Sequence, residues 1–235
     1  KTIFLKKKNS PTKTKKRFVD RINKTKIFGV YSLNDQPLDR DQESKLNRKI
    51  QKLIKNHDLV IVSDYGHGLI SDKTAKLIVK KSKFVAVNTQ LNSSNLGFHV
   101  ISKYIGANCI TINESEMRHE LRNKTVHTIP LIKTLSKKLK SKYTHVTMGE
   151  AGSIIYNSTL KEIISCPAFA SKVMDKVGTG DTMLAILAIS LFKKFNIKLS
   201  MFLSALAAAQ NIQYMANKIP INKVNITRAL QSYLK

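Results

Sequence analysis

The chain predicts an α/β fold: a mostly parallel sheet covered by helices, with a small β appendage at its N-terminus. Three observations predict it. Four short apolar runs recur, at residues 59–63 (LVIVS), 84–87 (FVAV), 109–112 (CITI) and 145–148 (HVTM). Such runs, without alternation, are how strands buried on both faces read. Helix-like segments fill the gaps between them, as crossovers between parallel strands require. The last third of the chain is dominated by helical patterning.

In chain order, residues 1–35 read as short strands. Residues 15–22 alternate weakly, and residues 26–33 (KIFGVYSL) are rich in β-branched and aromatic side chains. The NDQP at 34–37 has turn chemistry. Residues 41–57 form an amphipathic helix, with Leu46, Ile50, Leu53 and Ile54 on one face. A second helix spans 71–82, and helices are expected ahead of both 109–112 and 145–148. Residues 152–156 and 160–165 read as an antiparallel hairpin around NST. Helices follow at 180–195, 199–217 and 224–234. The chain therefore divides into β strands at 1–35 and an α/β core at 36–235.

Composition limits the function classes. At 235 residues and 42% hydrophobic, the chain fits one large globular domain, with or without an appendage. The longest apolar stretch, 183–192, is shorter than the roughly 20 residues a bilayer span needs. No signal peptide shows, and the opening Lys1 reads as a processed chain or a piece of a longer one. Cys109 and Cys166 stand far apart with no CxxC or Cys/His cluster, so no zinc site is expected. Sparse cysteines suit the cytoplasm. The 41 basic residues exceed the 15 acidic ones by 26. They are mostly Lys, spread nearly evenly, without aromatic-studded or helix-turn-helix patterning. They read as a solvated surface, so neither nucleic acid nor membrane is an expected partner.

The chemistry concentrates in four segments that each follow a strand: 63–68, 111–116, 147–152 and 175–181. Ligands gather at the carboxyl ends of strands in open α/β sheets. The most informative is DKVGTGDT, residues 175–182. Gly178 and Gly180 let backbone amides approach an anion, and the following helix aims its positive end there. Asp181, in that helix's first turn, is placed to take a proton from a hydroxyl attacking phosphorus.

This run, DKVGTGDTMLA, resembles the second signature of the ribokinase (PfkB) family of sugar kinases, with Thr179 in a position usually held by Ala. The resemblance implies a three-layer α/β/α core with a β-lid remnant at 1–35. It also implies Asp181 as catalytic base and Gly178, Thr179 and Gly180 as the anion hole. Asp175 would open a loop that in some members holds a monovalent cation, K+. The NESE at 113–116 resembles the family's N-x-x-E motif, so Asn113 and Glu116 are expected to organise Mg2+ through water. The TMGEAG at 147–152 resembles the T-x-G-x-x-G turn, which places Thr147, Gly149 and Gly152 along ATP. Ala208 would border the adenine.

Within the family, SDYGHGL at 63–69 resembles the SDYGKG segment of the heptose-7-phosphate kinases, with His67 replacing Lys. Asp64, Tyr65 and Gly66 are thus expected at the substrate. Lys15 and Arg17 alternate on one strand face, suited to the sugar's 7-phosphate. The resemblance runs over nearly all of 12–235 and corresponds to the C-terminal two-thirds of a kinase domain. The Gly-rich first signature and most sugar contacts fall outside it. Asn88-Thr89-Gln90 departs from the Asp-Pro-Lys-like segment of many relatives. No HxGH-like nucleotidyl-transfer motif occurs in these residues. The expected reaction is γ-phosphoryl transfer from Mg-ATP to the anomeric hydroxyl of a heptose 7-phosphate. Alternatives are another sugar, sugar phosphate or nucleoside as acceptor, or a non-catalytic basic binding protein or incomplete kinase fragment. The resemblance also implies a homodimer through the lid strands.

Overall fold

A computed structural model of the chain describes residues 2–22, 26–91, 95, 97, 100–170, 173–214 and 218–233. The described residues form two sheets. The first is an antiparallel ribbon of β1 (Thr14–Val19) and β2 (Lys26–Ser32). The second has six strands in sequential order: β3 (Leu59–Asp64), β4 (Phe84–Thr89), β5 (Cys109–Asn113), β6 (Tyr143–Thr147), β7 (Ser153–Asn157) and β8 (Glu162–Cys166). β3 to β6 run parallel, and β7 and β8 turn back antiparallel.

The helices are α1 (Arg40–Ile54), α2 (Asp72–Lys81), α3 (Glu114–Leu121), α4 (Thr128–Leu139), α5 (Thr179–Phe192), α6 (Ile197–Asn211) and α7 (Lys223–Tyr233). Two starts have local causes. Asp39 accepts the Gln42 amide at 2.7 Å to cap α1, and Ser71 accepts the Thr74 amide at 3.1 Å to cap α2. One sheet face carries Val62, Val85, Val87, Ile110 and Ile112 against helices α1 to α4. The other carries Ala86, Cys109, Ile155 and Ile164 against α5 and α6. Both faces are covered, so the core is a three-layer α/β/α sandwich, as the unalternating apolar runs predict.

The expected elements recur with shifted ends and one change of type. Among the described residues between β4 and β5 there is only a 3-10 turn, Ile101–Tyr104, where the sequence predicts a helix. The hairpin turn moves to 158–161, because Asn157 accepts the amides of Thr159 and Leu160 at 3.0 and 3.4 Å. The helix expected at 199–217 runs from Ile197 to Asn211; residues 215–217, and residue 234 of the last expected helix, lie outside the described residues. No described helix is long and apolar enough to cross a membrane.

Candidate active site

A cavity of about 1250 Å³ lies over the carboxyl ends of the parallel strands. The four segments singled out in the sequence all reach it. Its floor includes Asn88, Thr111, Asn113, Thr147 and Ser153, and its apolar wall Phe169, Ala205, Ala208, Ala209 and Ile212. The β1 side chains Lys15 and Arg17 enter from the ribbon, joined by Lys13. The loop running into α5 and that helix's first turn add Gly178, Thr179, Gly180 and Asp181 to the lining.

That loop is built for an anion. Gly178 caps α5 at φ +81°, a conformation that disfavours any side chain. The amides of the first helical turn have no acceptor within the helix, and they carry its positive end. A Cβ at Gly180 would meet nothing within 4 Å, so the approach to these amides is open. Asp181 is held by two hydroxyls: Ser63 Oγ donates to Oδ1 at 2.7 Å and Tyr65 Oη donates to Oδ2 at 2.9 Å. Thr179 Oγ1 donates to Asn211 Oδ1 at 3.3 Å, tying the loop to α6.

Asn113 and Glu116 meet as a capping box at the start of α3. Asn113 Oδ1 accepts the Glu116 amide at 2.8 Å, and Glu116 Oε2 accepts the Asn113 amide at 3.0 Å. Glu116 Oε1 accepts the Leu91 amide at 3.1 Å. Burial raises the Glu116 carboxyl above its ordinary range, against the pull of these amides. A carboxylate oxygen that takes one amide keeps a second acceptor position. The cavity-lining pair therefore keeps acceptor positions open to a hydrated cation such as Mg2+.

Thr147, Gly149 and Gly152 line the cavity. Gly152 has a structural demand of its own. A Cβ there would lie 2.2 Å from the Cys166 carbonyl oxygen, so glycine lets β7 and β8 close.

Three expected site residues do not line the cavity. Asp64 points to the opposite sheet face, because Val62 and Asp64 alternate with Ser63 and Tyr65. There it pairs with Lys103 Nζ at 2.7 Å and accepts from Tyr104 Oη at 2.6 Å and the Gly66 amide at 3.0 Å. Burial pushes the Asp64 carboxyl up, but Lys103 and Tyr104 together hold it below its usual range. Asp64 is a buried anchor under the site, held away from the cavity lining where it was expected. Gly66 serves the same turn. Asp175 accepts the Val177 amide at 3.0 Å and shapes the loop from outside the cavity.

Comparison with known proteins places this geometry. Residues 2–223 match the pfkB family of carbohydrate kinases. The chain belongs to that family. Bifunctional protein HldE of Campylobacter curvus (strain 525.92) is 34% identical over 170 residues, covering 71% of this chain and 35% of that protein. Bifunctional protein HldE of Wolinella succinogenes is 26% identical over 205 residues, covering 86% and 42%. The chain thus spans less than half the length of these curated relatives. Ribokinase from Giardia lamblia superposes with a TM-score of 0.72 at 15% identity, covering 96% of this chain and 73% of that one. Arabidopsis thaliana ribokinase complexed with ribose and ATP gives 0.71 at 16%, covering 95% and 70%. These likenesses establish a ribokinase-like fold.

Against the pfkB frame, the cavity adds residues that sequence reasoning missed. Lys13, one residue ahead of β1, lines the cavity with Lys15 and Arg17, and its Nζ donates to the His67 carbonyl at 3.0 Å. Period-two alternation extended by one step would have found it. Burial first, then the nearby Lys7 and Lys15, lower the Lys13 ammonium from its ordinary range. Ser63 was readable in the same way, two residues before Tyr65. Phe169 carries no local signal, and Lys176 lies within the DKVGTGDT segment without having been singled out.

Proposed function

We propose that this pfkB-family chain carries the ATP-binding and catalytic part of a sugar kinase whose acceptor is the anomeric hydroxyl of a heptose 7-phosphate. The observation that carries the reading is Asp181. Its carboxylate stands in the first turn of α5, beside the Gly178–Gly180 amides, on the wall of one cavity with cations at one side and an apolar surface at the other. Asp181 accepts the proton of the sugar hydroxyl as its oxygen bonds to the γ-phosphorus. The bond from that phosphorus to the bridging oxygen breaks, and ADP leaves. The amides from Gly178 to Asp181 hold the charge on the transferring group. Mg2+, held through water by Asn113 and Glu116, would neutralise phosphate charge. Thr147 and Gly149 border the phosphate path, and the apolar wall around Ala208 accommodates a flat base.

Lys13, Lys15 and Arg17 supply charge for a phosphate on the acceptor, and Arg suits bidentate contact. Residues 1–35 then act as the lid and 36–235 as the catalytic body, working in the cytoplasm. K+ at the loop opened by Asp175 is a further element of this reading, tested by exchanging K+ for Na+ in the assay. A two-stranded ribbon is marginal alone. Its outer face stacks Phe18 on Phe28 at 4.3 Å with both rings about half exposed. A second copy of the chain is the proposed cover, and sedimentation of Phe28→Lys beside the unchanged protein tests it.

The deciding experiment is ADP release from Mg-ATP with heptose 7-phosphate, other sugar phosphates and nucleosides as acceptors. The full natural chain is compared with Asp181→Asn. Release that depends on heptose 7-phosphate and vanishes in the variant supports the reading. Release with another acceptor reassigns the substrate, to which the neutral Asn88 and Gln90 on the cavity wall would then contribute. Equal turnover in the variant, or no release with any acceptor, overturns it.

A further inference from the structure

We propose that Ser63 and Tyr65 are positioning residues that hold the Asp181 carboxylate in its working orientation. The inference rests on the kinase reading above and deepens it. Ser63 is the penultimate residue of β3 and Tyr65 comes just after its end, so both side chains leave the same side of the chain, toward α5. Their hydroxyls reach Asp181 across 118 and 116 residues of sequence, one on each carboxylate oxygen. Burial, then the adjacent Asp181 carboxylate, raises the Tyr65 phenol above its ordinary range, so the phenol stays protonated and donates.

Two donors on two different oxygens fix the carboxylate plane. The terminal torsion of Asp is otherwise broad. An aspartate in the first turn of a helix also has an alternative: the open amides of its own turn, which favour a carboxylate. Those amides are the ones proposed to receive the transferring phosphoryl group. A carboxylate folded onto them would remove the base and block the anion hole together. Ser63 and Tyr65 hold it out of that nest, and each oxygen keeps an acceptor position for the incoming hydroxyl. Tyr65 also meets the lid, because Lys15 Nζ lies 5.3 Å from its ring centroid and 5.6 Å from that of Tyr31.

The test uses the full natural chain with the best acceptor found above, reading kcat and both KM values. Ser63→Ala and Tyr65→Phe are each expected to lower kcat about ten- to a hundredfold. KM for ATP and for the acceptor should stay within about twofold, because the lost contact acts through Asp181 and not on bound substrate. Tyr65→Phe keeps the ring beneath Lys15, so it isolates the hydroxyl. Ser63→Thr keeps a hydroxyl and should restore most of the rate. Thermal melts confirm that each variant folds. A raised acceptor KM at unchanged kcat would make the pair substrate contacts and overturn the proposal. So would full activity in both variants beside a dead Asp181→Asn, while the kinase reading stood. An unchanged protein that is silent with every acceptor would overturn both.

Discussion

The ribbon β1–β2 and the parallel strands β4–β5 are both β structure, yet they obey opposite rules. Every residue of β1 is exposed, while most of β4 and β5 is buried between helices. The core strands are overdetermined, with each side chain fitted against two layers. Polar contacts at the body include Lys15 over Tyr65 from the ribbon itself and, from the residues ahead of it, Lys13 to the His67 carbonyl, Lys7 to the Gln36 carbonyl, Gln42 to the Lys6 carbonyl and exposed Lys8 to Asp39 and Asp41. A lid has to release product, so weak and replaceable contacts suit it. The difference teaches that substitutions in the ribbon should change how substrate is held, whereas substitutions in the core should change whether the chain folds.

The largest expected effect belongs to neither region but to the helix start between them. Asp181→Asn should lower kcat by roughly two to four orders of magnitude while ATP binding, read by calorimetry, is retained. Next comes the core. Lys103→Met leaves Asp64 charged and buried, and should cost about 3–5 kcal/mol in denaturant unfolding. Because the folded-state Asp64 carboxyl lies below its ordinary range, its contribution is full above the unfolded value. It is lost as pH falls through the folded one. The penalty of Asp64→Asn should therefore shrink in acid.

His145 gives a third, independent measure of the core. It is fully buried on β6 beside Thr111, and burial lowers its imidazole to about 4. A buried neutral histidine stabilises above the unfolded value of about 6.5, and that contribution falls away between there and about 4. It amounts to about 3 kcal/mol, and His145→Gln should flatten the unfolding free energy over that pH window. The smallest effects on stability are expected in the ribbon. Lys15→Ala and Arg17→Ala should raise acceptor KM severalfold, more so at low salt, yet move unfolding by no more than about 0.5 kcal/mol. A large loss of stability there would break the contrast between the two regions.

Local pattern determined much of this protein. Apolar runs marked the buried strands, because a strand covered on both faces must be apolar throughout. Helical spacing marked α1, and turn chemistry marked the breaks. The GTGD loop was legible because a glycine cap, open amides and a first-turn acid all lie within four residues. The tertiary structure decided the rest. It turned Asp64 to the opposite sheet face, toward Lys103 and Tyr104, and it brought the Leu91 amide onto Glu116. It brought Lys13 into the cavity and set Ser63 and Tyr65 on Asp181. The physical reason is one of range. Periodicity and turn preference are written in neighbouring residues, but the direction a side chain takes at a strand end depends on partners dozens to more than a hundred residues away. Those partners meet only once the sheet and its two helical layers have packed.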